Sequence, residues 1–580
     1  MINIKRLLSI ALVITIVVSC DSSDNDEASV WAKKTLARLT LEEKVAQLIC
    51  TDISGSDRPY DEHTVESCIR YARDYGIGGF VCYGGTPQNL ARLLNKLQEE
   101  SEIPLLISAD FEGGPGQQFT GASEFPANMG FAASGDEDLM YEAASIMAKE
   151  GRSIGIHLSY TPVTDVSISP ENPQEGVRSF GGDLDLMCKM LRAYTKGYKE
   201  MGMLTTSKHF PGRGDMKAFD AYPGFNYIDK TREAFEQYEL KAFQHAVDAG
   251  VDFIMTEHIA VPSVTDNSPL PASVEPKLVK RIIRDKLNFK GIITTDDLWY
   301  DNVTARFGAE EVAVKALEAG HDIMLKPKDP VAVIKAVVEA VEQERISIRQ
   351  IDNSVYKLLY IKAKLGLHKN RFVDEEKMLQ VVGAVAHQTV VRKVADRSVT
   401  LLRNENVLPL KNLSAEKTVH IIIPDYDNQP YVDELSEKMT LSFPGIVNYK
   451  LNPGIDQSYY DSVEKSVDGA NVVILSFFVP NRRFGDTAPI REKDLEFLNK
   501  ILKKDKSKAI VAMSYGNPHI IKKIDSVPVF LVGYGAGGWY GNQRVYFDSF
   551  IDIMKGRLTP SGKLPLAVSE KYPIGLGLTY

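Results

Sequence analysis

Residues 203–214 read Met-Leu-Thr-Thr-Ser-Lys-His-Phe-Pro-Gly-Arg-Gly, a strand-like run that ends in charged side chains and a turn. An amphipathic helical pattern precedes this run at residues 184–201, and another follows it at residues 230–249. The same alternation of a short apolar run with a helical pattern extends from about residue 40 to residue 330. It is typical of a parallel sheet whose consecutive strands are connected by helices.

Eight apolar runs of this kind match the strand count and the length of a (β/α)8 barrel. A doubly wound open sheet shows the same alternation and is the alternative. The predicted strands cover residues 45–51, 76–83, 104–110, 156–161, 203–210, 251–258, 291–297 and 322–326. The helical patterns between them cover residues 87–100, 136–153, 184–201, 230–249, 275–287, 309–319 and 330–342.

A second and smaller series of apolar strands follows a charged helical stretch. A chain of 580 residues is too long for one core, so a second domain is expected. We predict an α/β protein with an N-terminal (β/α)8 TIM-type barrel at residues 31–345, a helical linker at 346–395 and a smaller C-terminal α/β sandwich domain at 396–580. The strands predicted for the second domain cover residues 418–423, 471–479, 509–514 and 527–534.

The N-terminal residues have the pattern of an export signal. Two basic residues precede an apolar run at residues 7–18, which is too short to span a bilayer as a stable helix. The ending Val-Val-Ser-Cys20 resembles the bacterial lipobox, which implies acylation of Cys20. We therefore expect a signal peptide at residues 1–19, a polar tether at 20–30 and a protein held to the bacterial cell envelope, periplasmic or on the outer-membrane surface, by its lipid anchor only. An uncleaved N-terminal anchor is the alternative.

The charge balance argues against nucleic acid as a partner. The chain carries 68 basic and 77 acidic residues, a formal net charge of −9, and no long basic stripe. Without residues 1–19, which hold two basic and no acidic residues, the net charge is −11. The other cysteines do not have metal-ligand spacing and are expected to be buried free thiols. They are Cys50, Cys68, Cys82 and Cys188.

Polar residues are concentrated where the predicted barrel strands end, which is the end at which barrel enzymes place their active sites. The histidines and carboxylates among them could bind a metal ion, but the positive charge of Lys208 would repel it. Hydrogen bonds to the hydroxyl groups of a substrate suit these residues better. Asp297, Glu112 and Lys326 are equally well interpreted as ion-pair or turn residues. The full set is Asp110, Glu112, Lys208, His209, Arg213, Asp215, Glu257, His258, Asp296, Asp297 and Lys326.

The sequence resembles glycoside hydrolase family 3, and within it the β-N-acetylglucosaminidases, over nearly the whole length that follows the signal. The Lys208-His-Phe-Pro-Gly block is the most specific of the motifs, and the others occur in the right order and spacing. The motifs are Leu39-Thr-Leu-Glu-Glu-Lys-Val-Ala-Gln-Leu48, Asp110-x-Glu-Gly-Gly114, Arg178-Ser-Phe-Gly181, Lys208-His-Phe-Pro-Gly-x-Gly214, Ile254-Met-Thr-x-His258 and Ile293-x-Thr-Asp296-x-Leu298.

This resemblance implies a retaining glycosidase in which Asp296 attacks the sugar and forms a covalent glycosyl-enzyme. It implies a carbohydrate substrate, which is a terminal β-N-acetylglucosaminide in the first place and another β-hexoside in the second. It implies neither a metal nor an organic cofactor. The expected substrate-binding residues are Asp110, Arg178, Lys208, His209, Arg213 and His258.

Two departures from the family pattern concern the rest of the mechanism. The subgroup has its acid/base histidine in an Asp-Ser-His triplet after the Lys-His-Phe-Pro-Gly block, whereas this chain reads Asp220-Ala-Tyr222 one residue later. A tyrosine has an ordinary pKa near 10, which is far from the value that suits an acid at neutral pH. Where the subgroup has arginines after Gly114, this chain has Pro-Gly-Gln-Gln, and Arg213 could supply the cation instead.

Four side chains are therefore candidates for the proton donor. Glu257 follows a barrel strand, Asp220 keeps the aspartate of the triplet, and Asp486 lies in the second domain, near an acidic residue of the β-glucosidase branch. Tyr222 would need strong activation. Their positions favour Glu257 and Asp486 as the proton donor. The predicted catalytic set is Asp296, Asp220 and Glu257.

Three other functions remain open at this point. The protein could be a β-glucosidase-type hydrolase with a different sugar preference, or a carbohydrate-binding homologue that has lost turnover. A phosphorylase would need an anion site, for which Arg213 and Lys217 are the available cations. The sequence leaves the oligomeric state open.

Overall fold

The structure, a computed structural model, describes residues 26–56, 58–167, 175–214, 226–410, 417–424, 429–479, 488–504, 507–535 and 542–580. Within these ranges the chain forms a parallel α/β barrel followed by a second, mixed sheet with its own helices. The predicted fold class is confirmed.

The barrel has eight parallel strands in the order β10-β1-β2-β3-β4-β5-β7-β9, and β6 pairs separately with β8. A parallel bridge between Thr294 and Ile323 joins the two ends of this order, so the sheet is nearly closed and not open. The strands are β1 Ile49–Ser54, β2 Gly79–Tyr83, β3 Leu106–Ala109, β4 Leu158–Ser159, β5 Leu204–Phe210, β6 Asn226–Tyr227, β7 Phe253–Thr256, β8 Ile259–Ala260, β9 Ile292–Thr295 and β10 Met324–Leu325.

Helices surround the barrel, link the two domains and flank the second sheet. The α-helices are α1 Glu27–Leu36, α2 Leu41–Gln47, α3 Glu62–Ile69, α4 Pro87–Glu100, α5 Asn128–Ser134, α6 Glu137–Ile154, α7 Leu184–Glu200, α8 Arg232–Gln237, α9 Glu239–Ala249, α10 Asp301–Phe307, α11 Ala309–Ala319, α12 Pro330–Glu342, α13 Ile348–Lys364, α14 Glu375–Val381, α15 Val385–Ser398, α16 Gln429–Ser442, α17 Gln457–Asp468, α18 Glu492–Lys504 and α19 Phe547–Met554. Tighter or wider helical turns cover Arg70–Asp74, Pro115–Gln117, Gly176–Arg178, Pro262–Val264, Lys277–Lys286, Pro518–Lys522 and Gln543–Tyr546. Among the described residues, none of these helices combines the length and apolarity needed to cross a bilayer.

The first barrel strand begins later than the prediction of residues 45–51, because the preceding residues are helical. Thr40 accepts a hydrogen bond from the backbone N–H of Glu43 (3.2 Å), and the Glu43 carboxylate accepts one from the N–H of Thr40 (2.8 Å). This capping box starts helix α2, which buries Val45 and Ala46. Strand β1 therefore covers Ile49–Ser54.

The second sheet has the order β11-β16-β15-β14-β12-β13 and is parallel except for β11, which pairs antiparallel with β16. Between the two sheets, helix α13 still packs against the barrel: Ser354 and Lys357 hydrogen-bond Asp322, directly before β10. The strands of the second sheet are β11 Thr400–Asn404, β12 Thr418–Ile423, β13 Val447–Lys450, β14 Val472–Phe477, β15 Ala509–Ser514 and β16 Val529–Val532.

The second domain contacts the barrel domain at places where two segments of the chain approach each other very closely. The N–H of Gly182 donates to the carbonyl of Pro565 (3.0 Å), and a Cβ on Gly181 would lie 2.4 Å from that carbonyl oxygen. A Cβ on Gly113 would lie 2.7 Å from the Asn542 side chain. Only glycine fits at position 181, where φ is +114° and the obstacle is backbone, and a larger residue at position 113 would displace Asn542. The loops after β3 and before α7 therefore lie directly against the second domain.

We expect the substitution Glu150→Ala to lower the free energy of unfolding by about 3 kcal/mol, because several buried donors lose a shared acceptor. The buried carboxylate of Glu150 accepts from the N–H and hydroxyl of Ser123 (2.8 and 2.6 Å), from the N–H of Gly383 (3.0 Å) and from Nδ1 of His387 (2.6 Å). Urea-induced unfolding followed by circular dichroism measures the effect. Glu142→Ala, on the exposed side of the same helix, is the control and should change stability by about 0.5 kcal/mol or less. Equal stabilities for the two variants would contradict the assignment.

Candidate active site

Most of the predicted site residues meet at the carboxyl end of the barrel, where direct contacts connect residues from five strands. Asp110 and Glu112 follow β3, Lys208 and His209 end β5 with Arg213 after it, Glu257 follows β7, Asp296 and Asp297 follow β9, and Lys326 follows β10. The register of β5 with β7 shifts between Ser207 and Phe210. This irregularity allows two consecutive residues, Lys208 and His209, to contact other residues of the site.

The carboxylate of Asp296 is held on both oxygens. Its Oδ1 accepts a hydrogen bond from the backbone N–H of Asp297 (2.7 Å), and its Oδ2 accepts one from Nη2 of Arg213 (3.0 Å). The backbone N–H of Asp296 donates to the carbonyl of Thr256 on β7 (2.7 Å). The side chain keeps 11% of its surface exposed, so it faces the mouth in a fixed orientation.

Glu257 lies beside Asp296 and shares Nη2 of Arg213 with it. Burial and the neighbouring Glu257 carboxylate raise the pKa of Asp296, and Arg213 opposes this only in part. Burial also disfavours the charged form of Glu257, but the contact with Arg213 outweighs burial and lowers the pKa of Glu257. This ion pair argues against Glu257 as the proton donor, because a donor needs a raised pKa.

The residues expected to bind sugar hydroxyls form a second ion-pair cluster. Nζ of Lys208 lies 2.5 Å from Oδ1 of Asp110 and 2.8 Å from Oε1 of Glu112. Arg178 donates to both oxygens of Glu112, from Nε (2.8 Å) and from Nη2 (2.7 Å). Burial disfavours the charged carboxylate, yet Arg178 and Lys208 lower the pKa of Glu112 to about 2. Glu112 therefore positions the two cations, and Asp110, the more exposed carboxylate, faces the mouth.

Asp165 is a residue of the site that the sequence analysis missed. It accepts from Nδ1 of His209 (2.7 Å) and from the backbone N–H of Arg213 (2.7 Å), and so it orients two predicted substrate-binding residues. A Cβ on Gly214 would lie only 1.5 Å from the carbonyl oxygen of Val166, so the glycine allows these two backbones to approach. Its place in the sequence could have identified it as a site residue, because Asp165 closely follows the fourth predicted strand.

Glu175 is fully buried between two guanidinium groups, 3.5 Å from Arg178 and 3.7 Å from Arg213. With Asp165 and His209 it offers three oxygen or nitrogen atoms within 4.8 Å of one another, a spacing that could hold a metal ion. However, the oxygens of Asp165 already accept N–H groups, and the two arginines would repel a cation. The group is therefore better described as an ion-pair network.

His258 was expected to bind substrate, but in the structure its side chain is buried behind the residues of the mouth. Its Nε2 donates to the backbone carbonyl of Asp297 (3.0 Å), and its Nδ1 accepts from the hydroxyl of Ser273 (2.8 Å). The ring is fully buried. Because its ring is fully buried and hydrogen-bonded to this backbone, we interpret His258 as a residue that fixes the chain next to Asp296.

Asp297 and Lys326 form an ion pair with each other (3.0 Å), which is the alternative that the sequence left open. Burial and the neighbouring Asp296 raise the pKa of Asp297 to about 6, against the effect of Lys326. Nζ of Lys326 also lies over the rings of Tyr83 (4.8 Å) and Trp299 (5.4 Å), two mouth residues that the sequence analysis did not select. The other predicted residues, Cys20, Asp215, Lys217, Asp220, Tyr222 and Asp486, lie outside the described residues.

The fold and the site define a two-domain α/β protein, with a parallel barrel that has buried carboxylates and cations at its mouth and an α/β domain packed against it. Residues 40–361 match the glycosyl hydrolase family 3 N-terminal domain. The chain therefore belongs to glycoside hydrolase family 3 and is a glycoside hydrolase.

Individual relatives agree with this assignment. The chain is 28% identical over 413 residues to a β-N-acetylglucosaminidase/β-glucosidase of Cellulomonas fimi, a match that covers 70% of this chain and 71% of that protein. It resembles the solved structure of a family 3 β-N-acetylglucosaminidase from Paenibacillus sp. str. FPU-7, with a TM-score of 0.77, 25% identity and coverage of 92% and 99%. It also shares the fold of the β-glucoside phosphorylase BglX, with a TM-score of 0.80, 22% identity and coverage of 94% and 97%.

We expect Glu257→Gln to move the acidic limb of the pH profile of kcat/KM to lower pH by about one unit. If Asp296 acts as an ionised carboxylate, activity is present above its pKa and is lost as the pH falls through it. The neutral amide removes the negative neighbour and its competition for Arg213, so the pKa of Asp296 falls. Arg213→Gln should move the same limb in the opposite direction. Profiles of kcat/KM measured between pH 4 and 8 test both variants, and shifts of the same sign would contradict this account.

Proposed function

We propose that the protein is a retaining, exo-acting glycoside hydrolase that removes terminal β-linked sugars through a covalent intermediate on Asp296. The observation that carries this proposal is the carboxylate of Asp296, which is fixed by an N–H group and a guanidinium and faces the mouth. Hydrogen bonds to both oxygens favour the orientation needed for attack on an anomeric carbon.

In the first step of this mechanism, an oxygen of Asp296 forms a bond to the anomeric carbon while the bond from that carbon to the leaving oxygen breaks. The leaving oxygen takes a proton from an acid or from water. In the second step, water attacks the anomeric carbon from the side opposite Asp296 and gives one proton to the base or hydroxide left by the first step. The bond to Asp296 breaks, and the product keeps the configuration of the substrate. The Arg213 guanidinium favours the ionised form of Asp296 and offsets part of the effects of burial and Glu257.

The buried, charged lining of the mouth supports the proposal of exo action. Glu112, Arg178, Lys208 and His209 are each less than 9% exposed and tie β3, β5 and the loop before α7 together. A pocket with such a floor admits the end of a sugar chain, and its charged groups can hydrogen-bond the hydroxyls of one terminal ring.

For the sugar itself, we propose a terminal β-N-acetylglucosaminide, which agrees with the name of the Cellulomonas relative. A β-glucoside is the second candidate, and a specific observation favours it. The group attached to carbon 2 lies next to the anomeric carbon, and the ion pair of Arg213 with Glu257 lies next to Asp296. A charged pair suits a hydroxyl group better than the methyl group of an acetamide.

We expect the wild-type protein to release nitrophenol from an aryl β-N-acetylglucosaminide or an aryl β-glucoside, and an activated fluoro sugar to leave a covalent adduct on Asp296. Peptide mass spectrometry locates the adduct, and the ratio of the two kcat/KM values identifies the sugar. Asp296→Asn should lower kcat/KM by several orders of magnitude, whereas Asp301→Asn, at a carboxylate that is 94% exposed, should not change it. Tight sugar binding without turnover or adduct would refute the hydrolase and favour a carbohydrate-binding protein. Turnover that requires inorganic phosphate would favour a phosphorylase.

We also propose that the protein is exported and anchored by a lipid on Cys20, on the basis of the sequence pattern that ends at this residue. In a bacterial host, the wild-type protein should pellet with membranes and incorporate labelled fatty acid. Cys20→Ser should abolish the label. A wild-type protein that stays in the soluble fraction without label would refute the anchor.

A further inference from the structure

Trp299 is an exposed aromatic residue close to the proposed nucleophile. It follows Asp296 by three residues in the sequence, and 46% of its surface is exposed. Its indole N–H donates to Oδ2 of Asp297 (2.9 Å), and its ring stacks on Tyr300 with centroids 5.4 Å apart. These two contacts fix the orientation of the ring. Its exposure is unusual, because large apolar side chains are usually buried.

The position of this ring relative to Asp296 indicates which part of a substrate it would meet. Asp297 donates its backbone N–H to Asp296 and accepts the indole N–H of Trp299, so two hydrogen bonds connect the carboxylate with the ring. Lys208 and Arg178, which line the floor, are 3% and 7% exposed, whereas Trp299 stands at the outer rim. In an exo-acting pocket the terminal sugar occupies the floor, and the leaving group points toward the rim.

We propose that Trp299 forms the subsite for the leaving group and binds the apolar face of a second pyranose ring. This inference rests on the proposed function, because it requires that Asp296 cleaves a glycosidic bond. A pyranose presents a face of C–H groups that packs on an aromatic ring, while its hydroxyls point sideways toward water. The preferred substrate is therefore a β-linked disaccharide or longer chain.

A purely structural role for Trp299 makes a different prediction. Its ring lies 5.4 Å from Nζ of Lys326 and could simply shield the ion pair of Lys326 with Asp297. In that case, removal of the ring would disturb Asp297 and, through it, Asp296. Every substrate would then be affected to the same extent, whatever its leaving group.

The test compares two substrates that carry the same terminal sugar. One is a β-linked disaccharide, and the other is the glycosyl fluoride, whose leaving group is too small to reach the ring. Trp299→Ala should raise KM for the disaccharide about tenfold and leave kcat/KM for the fluoride within about twofold. Trp299→Phe should recover part of the loss. Phe372→Ala, at an aromatic side chain of the linker that is 52% exposed, is the matched control and should behave as wild type.

Equal losses on both substrates, or no loss on either, would overturn the subsite. Failure of the proposed function would look different, because the wild-type protein itself would then hydrolyse neither substrate. Calorimetric titration of the wild-type and Trp299→Ala proteins with the disaccharide settles that case. Binding weakened about tenfold by the substitution supports the subsite, and equal binding or no binding by either protein overturns it.

Discussion

The site depends on one buried guanidinium, that of Arg213, which contacts Glu257 and Asp296 and lies 3.7 Å from Glu175. Carboxylates outnumber cations in the described part of the mouth, and a buried charge is costly unless it is paired. The carboxylates are Asp110, Glu112, Asp165, Glu175, Glu257, Asp296 and Asp297, and the cations are Arg178, Lys208, Arg213 and Lys326. Burial, together with the neighbouring negative charge, raises the pKa values of Asp165 and Asp296, while direct contacts with arginine lower those of Glu112 and Glu257.

The position of Arg213 is determined by backbone packing. Its N–H is held by Asp165, and the next residue, Gly214, leaves no room for a Cβ against Val166. The second domain supports the opposite side of the pocket, because Pro565 and Asn542 press on glycines next to the Arg178 and Glu112 loops. The pocket is therefore a product of both domains, although the contacts described above link side chains of the barrel.

The mouth has two zones of different chemistry. The floor is buried, charged and fully connected, which suits recognition of the hydroxyls of one sugar ring. The rim is aromatic and partly exposed at Trp299, which suits a larger and less polar contact. Asp296 lies between these zones, where the bond between a terminal sugar and its leaving group would be placed.

The sequence alone determined the fold class, all eight barrel strands and most of the residues at the mouth, because these depend on local periodicity and on the ends of strands. It could not predict that His258 is buried or that Glu257 forms an ion pair with Arg213, since both depend on partners distant in the chain. Arg213 is 44 residues from Glu257 and 83 from Asp296. Only closure of the barrel brings these charges together in a place with little water, and that proximity decides which carboxylates stay ionised.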